Sequence, residues 1–330
     1  MDGQQKTSRA PAIEDHGVIG DLRTVALVAT DGTMDWLCFP HFDSPSVFAA
    51  LLDPEKGGHF RIAPEVDGGR VVHKQFYWPD SNVLVTRFYS PDGVGELVDF
   101  MPMGRGGHGS RAREVVRRIR VVRGELAFRV ECLPAFNYGR DAHQVRLLHG
   151  GASFLSEKLK LTLVTSVPLE TDGRGVSGRF TLHEGQSAVF GLREGAPDSC
   201  HDTVMGHEAS EALFRSTVDY WRHWVAGCSY TGRWREVVQR SALALKLMTF
   251  EPSGAIVAAP TCSLPEAPGG VRNWDYRYVW IRDAAFTVYA LLRIGFKQEA
   301  GAFMRWLEAR IAALPEGAPL PLMFALDGGE

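Results

Sequence analysis

The periodicity of apolar residues changes at about Cys200, and this change limits the possible folds more than any other feature of the sequence. Before that point apolar and polar residues alternate in short runs, as in half-buried strands. Examples are residues 126–132 and 159–163, and residues 81–90 have the Val, Thr, Phe and Tyr content of a strand. Because Gly-rich turns separate the runs, we expect an antiparallel β-sandwich in this part of the chain.

Beyond that point apolar residues recur at helical spacing, which predicts four helices, over residues 209–224, 233–250, 283–294 and 298–313. Residues 251–282 form a long Pro- and Gly-rich connection, and long loops in compact domains are commonly functional. The last residues, 327–330, have the chemistry of a mid-chain turn. We therefore expect a multidomain β + α chain that is truncated, and its last two helices should expose apolar faces.

The composition is that of an ordinary globular protein, with 45% hydrophobic and 23% charged residues. A net charge of −3 gives no electrostatic reason to expect nucleic acid or an anionic membrane as a partner. The five cysteines are scattered without a C-x-x-C motif, which favours free thiols over disulfides or a zinc site. The polar N-terminus lacks a secretory apolar core, so we expect a cytoplasmic protein. The spacing of His201 and His207 near Cys200 fits no standard zinc motif, and we expect neither a metal nor another cofactor.

Residues 273–283 combine four large aromatic side chains with two arginines and two aspartates, just before the third predicted helix. A helix start needs a cap and one acidic residue, not this mixture. Aromatic rings pack against the C–H surface of a sugar, while carboxylates accept hydrogen bonds from its hydroxyls and guanidinium groups donate to them. The segment therefore predicts a carbohydrate site.

Simpler interpretations of this segment stay open. Arg282 and Asp283 also fit a structural ion pair, because the helix dipole favours a carboxylate in the first turn. Trp274, Tyr276 and Tyr278 fit core packing equally well. The choice between these readings and a sugar site depends on the surrounding sequence.

Two other motifs suggest chemistry but have structural interpretations. His16 follows Asp15, and Trp36 follows Asp35, yet sequence neighbours in an extended chain point apart, so we expect both pairs to be structural. Residues 104–109 match G-x-G-x-x-G, but a strand pattern follows them where a dinucleotide site needs a helix. We therefore expect a hairpin loop there.

The strand pattern after that loop is strongly basic. Its arginines are Arg111, Arg113, Arg117, Arg118, Arg120 and Arg123. Because Val115, Ile119 and Val121 are interspersed among them, we expect one strand with a solvated face, not a nucleic-acid site.

Long segments of the chain match a known family in order. Residues 13–28 (IEDHGVIGDLRTVALV), 31–40 (DGTMDWLCFP) and 42–48 (FDSPSVF) resemble the trehalase-like N-terminal domain of bacterial glycoside hydrolase family 15. Residues 232–236, 251–261 and 273–283 resemble the opening of that family's catalytic (α/α)6 barrel. The resemblance implies an N-terminal β-sandwich domain at 1–200, a helical linker at 201–228 and the first helices of an incomplete barrel at 229–330.

The resembled family contains glucoamylases, glucodextranases and trehalases, which release glucose from α-linked substrates with inversion. One glutamate protonates the leaving oxygen, and a second activates water from the opposite side. The resemblance places both glutamates beyond Glu330, so it implies that this chain holds no catalytic residue and is inactive alone.

The resemblance also implies a binding site for the non-reducing glucose. The family's Trp-x-Arg-Asp motif maps onto Trp280, Arg282 and Asp283, and Tyr278 and Asp275 are further candidates for the same pocket. The expected partner is an α-glucan oligosaccharide or trehalose. The alternatives are a non-catalytic carbohydrate-binding or interaction β-sandwich module, and a sugar phosphorylase, which shares the sandwich-plus-barrel plan.

Overall fold

The computed structural model describes residues 11–66, 70–104, 113–195, 205–262 and 270–329. No helix within these ranges is long and apolar enough to cross a membrane. The strands are β1 (His16–Gly20), β2 (Val25–Ala29), β3 (Thr33–Cys38), β4 (Ser46–Phe48), β5 (His59–Pro64), β6 (Val72–Tyr77), β7 (Leu84–Tyr89), β8 (Gly93–Phe100), β9 (Glu114–Leu133), β10 (His143–Leu148), β11 (Gly151–Ser156), β12 (Lys160–Thr165), β13 (Glu170–Thr171), β14 (Val176–His183), β15 (Ser187–Glu194), β16 (Thr249–Phe250), β17 (Ala255–Ile256), β18 (Val279–Trp280) and β19 (Met323–Phe324). The helical elements are a 3-10 turn (Ile13–Asp15), the single turn α1 (Phe136–Gly139), and the helices α2 (His207–Val225), α3 (Arg235–Leu247), α4 (Ile281–Arg293) and α5 (Lys297–Ala313).

Strands β1 to β15 form one 15-stranded antiparallel sheet in the described part of the chain, organised by its longest strand, β9. The first part of β9 pairs with β8 and β15, and the second part pairs with β5 and β14. The change of partners occurs at Gly124, whose φ of 77° lies in the left-handed region and whose Cβ would lie 2.1 Å from the Asp92 carbonyl oxygen. The predicted change from strands to helices and the antiparallel pairing are confirmed.

The solvated face predicted for the basic part of β9 is wrong for two of its arginines. Arg117 is fully buried, and its Nε donates to Asp99 Oδ1 at 2.8 Å. Arg118 is 6% exposed, and its Nη1 donates to Glu211 Oε2 of α2 at 2.6 Å. Asp99 lies directly opposite Arg117 in β8, so the buried guanidinium has a charged partner. Arg120 is half exposed, as predicted.

His16, Asp35 and Trp36, which belong to the two short motifs at the start of the chain, have buried side chains within the sheet. His16 Nε2 of β1 is 2.9 Å from Asp35 Oδ2 of β3, and both side chains are buried. Burial lowers the pKa of His16, but the hydrogen bond and charge of Asp35 outweigh this effect, so the pKa is raised. Trp36 donates its Nε1–H to the Pro260 carbonyl oxygen at 3.0 Å and so joins the sheet to the long connection.

Helices α2 to α5 occur where the apolar spacing predicts them, with ends shifted by up to three residues. They do not bury their apolar faces only against each other, because sheet loops contribute to the same core. The sheet side of this core is Leu22, Val25, Phe42 and Met103, and the helix side includes Trp221, Val225, Leu243, Leu247, Ala284, Val288, Phe303 and Trp306. The sheet and the helices therefore share this core, in addition to a separate core within the sheet that includes Phe60, Phe128 and Phe190.

The last two helices expose apolar side chains, as predicted. Phe286 and Tyr289 of α4 are 71% and 62% exposed, and Met304 and Ile311 of α5 are about half exposed. Of the loop predicted at 104–109, only Gly104 lies among the described residues.

Candidate functional site

The segment before α4 is held in place by backbone hydrogen bonds on two sides. On one side, Ala259 N donates to the Tyr276 carbonyl oxygen at 2.8 Å, and Ala258 N donates to that of Tyr278 at 3.1 Å. On the other side, β18 pairs with β19, which places Trp280 opposite Met323. The segment therefore enters α4 as extended chain fixed between two neighbours.

Three of the predicted site residues lie together at the start of α4. Trp280 is the N-cap residue, and Arg282 and Asp283 lie in the first turn. The Trp280 side chain is half-buried, whereas that of Arg282 is 72% exposed and that of Asp283 is 33% exposed. The structure thus places an aromatic ring, a cation donor and an anion acceptor at one accessible helix end.

Arg282 and Asp283 do contact each other, since Arg282 Nη2 lies 3.3 Å from Asp283 Oδ2. An ion pair this exposed contributes little to stability, about 0–1 kcal/mol. A ligand can therefore replace this contact at small cost. The structural ion pair and the binding role are compatible.

Asp275 is bound by a side chain of its own segment, that of Arg277. Arg277 Nε donates to Asp275 Oδ1 at 3.0 Å, and Arg277 Nη2 donates to Asp275 Oδ2 at 2.6 Å. The backbone N–H of Arg277 also donates to Asp275 Oδ1, at 3.0 Å. Both carboxylate oxygens are therefore engaged within the segment, and a direct contact between Asp275 and a sugar stays a prediction.

Arg277 is the functional candidate that the sequence analysis missed. It is 6% exposed, and its Nη1 donates to the Ser44 carbonyl oxygen at 2.8 Å and to the Cys38 Sγ at 3.2 Å. Burial favours a lower pKa for Arg277, but the hydrogen bonds with Asp275 and the nearby acidic groups raise it above its ordinary value. Burial raises the pKa of the Cys38 thiol to about 11. The Asp-x-Arg spacing of residues 275–277 was the available signal.

The aromatic residues of the segment differ in their surroundings. Trp274 is 56% exposed, so core packing does not describe it. Tyr276 and Tyr278 are half-buried, and the ring of Tyr276 lies 5.4 Å from that of Trp280. The Trp280 Nε1–H donates to the Asp275 carbonyl oxygen at 2.9 Å, which fixes the orientation of the indole ring.

Two surface cavities lie away from this segment. One of about 410 Å³ is lined by Lys56, His59, His143 and Arg174, among others, and one of about 400 Å³ lies beside Glu299. Neither contains a predicted site residue. The described ranges hold no group of three or more His, Cys, Asp and Glu side chains that could bind a metal ion.

Comparisons with known proteins cover both parts of the chain. The family described as "Trehalase-like, N-terminal" matches residues 5–209, and "Glycosyl hydrolases family 15" matches residues 232–326. A trehalase of Thermoplasma volcanium is 39% identical over 89% of this chain and 46% of its own length. A trehalase of Mycolicibacterium smegmatis is 33% identical over 96% of this chain and 50% of its own length. The chain spans about half the length of these curated relatives.

Among solved structures, a human-microbiome protein assigned as a kojibiose phosphorylase matches 95% of this chain and 50% of its own length. The TM-score is 0.52 at 9% sequence identity, so the likeness concerns the fold alone. It supports the observed order of a large antiparallel sheet followed by helices.

Proposed function

The chain belongs to family 15 of the glycosyl hydrolases, with a trehalase-like N-terminal domain, and we propose that it is the N-terminal part of a trehalase. The name shared by the relatives from Thermoplasma volcanium and Mycolicibacterium smegmatis supports trehalose as the substrate. The reaction is hydrolysis of the α-linked disaccharide with release of glucose. α-Glucan oligosaccharides are the second substrate class that the family allows.

The architecture that we propose follows from this family. Residues 1–200 form a β-sandwich domain, residues 201–228 a helical linker, and residues 229–330 the opening of an (α/α)6 barrel. The antiparallel sheet and the following helices support this division. The likeness in fold to a sugar phosphorylase supports it independently.

One observation carries the proposal: Trp280, Arg282 and Asp283 lie together at the accessible start of α4, within the part that matches the hydrolase family. Asp283 accepts hydrogen bonds from sugar hydroxyls, Arg282 donates to sugar oxygens, and Trp280 packs against the C–H face. Tyr278, which is half-buried two residues before Trp280, is a further proposed contact. These residues hold the non-reducing glucose in one orientation, which contributes to the rate through positioning.

The chemistry itself needs two further carboxyl groups. An inverting glycosidase separates its acid and base by roughly 6.5–9.5 Å to leave room for the attacking water. We propose that both glutamates follow Glu330 in the longer protein, and that the present chain binds but does not cut.

The test is glucose release from trehalose and from maltotetraose by a protein extended to the length of its trehalase relatives. Asp283→Asn should lower kcat/KM for trehalose about 10- to 150-fold, since a hydrogen bond to a charged group contributes about 1.5–3 kcal/mol. Glu236→Gln is the matched control, because it removes the first-turn acid of α3 and should leave kcat/KM unchanged.

Each outcome has a distinct meaning. Glucose from maltotetraose alone would replace trehalose by an α-glucan as the substrate. Release of no glucose from either sugar would refute the proposal that the protein is a hydrolase of these substrates. Activity of the 330-residue chain alone would show that one of its own carboxylates is catalytic.

A further inference from the structure

The side chain of Arg277 connects the segment that carries the proposed sugar contacts to the N-terminal sheet by hydrogen bonds. We propose that Arg277 is a positioning residue, which sets the location of Trp280, Arg282 and Asp283 by binding the loop between β3 and β4. This inference rests on the proposed function, because it concerns the same site. It assigns the N-terminal sheet a part in substrate binding without direct contact to the sugar.

The hydrogen bonds of Arg277 point in two directions. One edge of the guanidinium binds both carboxylate oxygens of Asp275, at 3.0 and 2.6 Å. Nη1 binds the sheet, through the carbonyl oxygens of Ser44 at 2.8 Å and Phe42 at 3.4 Å and the thiol of Cys38. A buried fork with partners on both sides fixes the distance between the sheet loop and Asp275.

The position of Asp275 in turn determines that of the helix start. The carbonyl oxygen of Asp275 accepts the indole N–H of Trp280 at 2.9 Å, and Trp280 is the N-cap residue of α4. Arg282 and Asp283 follow within the first turn. A shift of Asp275 therefore moves the indole and the two polar side chains together.

Lysine cannot replace this arrangement. A single ammonium group can keep the charge but cannot bind two carboxylate oxygens and two carbonyl oxygens in the fixed plane of a guanidinium. Misplacement of about 1 Å at a catalytic site can lower the rate on the order of 100-fold. We expect Arg277→Lys to lower kcat/KM for trehalose at least about 10-fold, with most of the loss in kcat.

Arg240 provides a matched control, because it also joins the sheet to a later part of the chain but has only a structural role in our proposal. Arg240 of α3 also binds a sheet loop, through the Ser81 carbonyl oxygen at 2.7 Å, and its guanidinium lies 3.9 Å from the centre of the Tyr77 ring. It joins α3 to the sheet, whereas Arg277 joins the segment before α4 to the sheet. Arg240→Lys should lower the melting temperature and leave kcat/KM within about 3-fold of wild type.

The experiment compares Arg277→Lys and Arg240→Lys in the extended protein, well below both melting temperatures. Steady-state kinetics on trehalose are measured beside hydrogen exchange of the peptide that covers residues 270–285. We expect lower kcat/KM and faster exchange in this peptide for Arg277→Lys only. If Arg277→Lys does not fold, Asp275→Asn weakens the same contact from its other side and takes its place.

Two results would overturn the inference. One is equal kinetics for the two variants, and the other is equal exchange of residues 270–285 in both. If the wild-type protein releases no glucose, the proposed function is refuted. The comparison of hydrogen exchange then still tests separately whether Arg277 holds the segment.

Discussion

The buried ion pair between Arg117 and Asp99 allows a quantitative prediction for the stability of the sheet. Both side chains are 0% exposed. Arg117 binds both oxygens of Asp99, at 2.8 and 3.3 Å, and also donates to the carbonyl oxygens of Gly32 and Phe60. Arg117→Met keeps an unbranched side chain in place but leaves the carboxylate without its cation.

The size of the effect follows from these contacts. Breaking a buried pair by removal of one partner costs about 3–5 kcal/mol, because the remaining charge stays buried. We expect a loss of that size in the free energy of unfolding for Arg117→Met. In Arg117→Met/Asp99→Leu no unpaired charge remains, and the loss should fall to about 2 kcal/mol, from the two lost carbonyl hydrogen bonds. The double variant should therefore be more stable than the single one.

Urea unfolding, followed by circular dichroism and tryptophan fluorescence, measures these free energies. Arg120→Met is the matched control on the same strand. Arg120 is 49% exposed, and its partner Glu96 also binds Arg87, so we expect a loss below about 1 kcal/mol. Equal losses for Arg117→Met and Arg120→Met, or a double variant less stable than Arg117→Met, would refute the reasoning.

Two further predictions concern pH and association. His59, whose Nε2 lies 3.8 Å from Glu131 Oε2, and Arg129, whose Nε donates to Glu131 Oε1 at 3.0 Å, lower the pKa of Glu131 from 4.5 to about 2. The stabilisation from these contacts is present above pH 4.5 and is lost as the pH falls towards 2. Glu131→Gln should thus have a lower free energy of unfolding in urea than wild type at neutral pH, and the same free energy of unfolding near pH 2. A difference between the two proteins that persists at pH 2 would contradict this. Phe286 and Tyr289 of α4 are both largely exposed apolar side chains. The double variant Phe286→Ser/Tyr289→Ser should therefore reduce self-association of the 330-residue chain in analytical ultracentrifugation. Unchanged association would exclude this face of α4 as the contact between copies.

The order of elements could be predicted from the sequence because local patterns determine it. Alternating residues such as Leu126 and Phe128 lie in β9, and apolar residues at helical spacing lie in α2 to α5. The ion pair of Arg117 could not be predicted, because its partner Asp99 is 18 residues away and meets it only through strand pairing. Period-two alternation places Arg117 on the same face as Val115, Ile119 and Val121, and only its residue type assigned it to the solvent.

The candidate site was likewise predictable only where its residues are close in sequence. Trp280, Arg282 and Asp283 are close in sequence, so one helix turn brings them together wherever that helix lies. Arg277 was missed because its role depends on carbonyl groups more than two hundred residues earlier, in the loop that follows β3. The Asp-x-Arg spacing indicates the local pair with Asp275, but no local pattern indicates the contact with that loop.

The shared core also has a consequence for how the chain is made. Synthesis runs from the N-terminus, and a domain generally folds as it emerges, at about 5–20 residues per second. The loops and the strand that present Leu22, Val25 and Phe42 are therefore complete before α4 and α5 exist. The sheet can serve as a template against which the later helices fold and pack. These helices therefore need not be stable before they contact the sheet. Damage to this template would reduce the yield of folded protein in the cell while leaving every proposed sugar-binding residue unchanged.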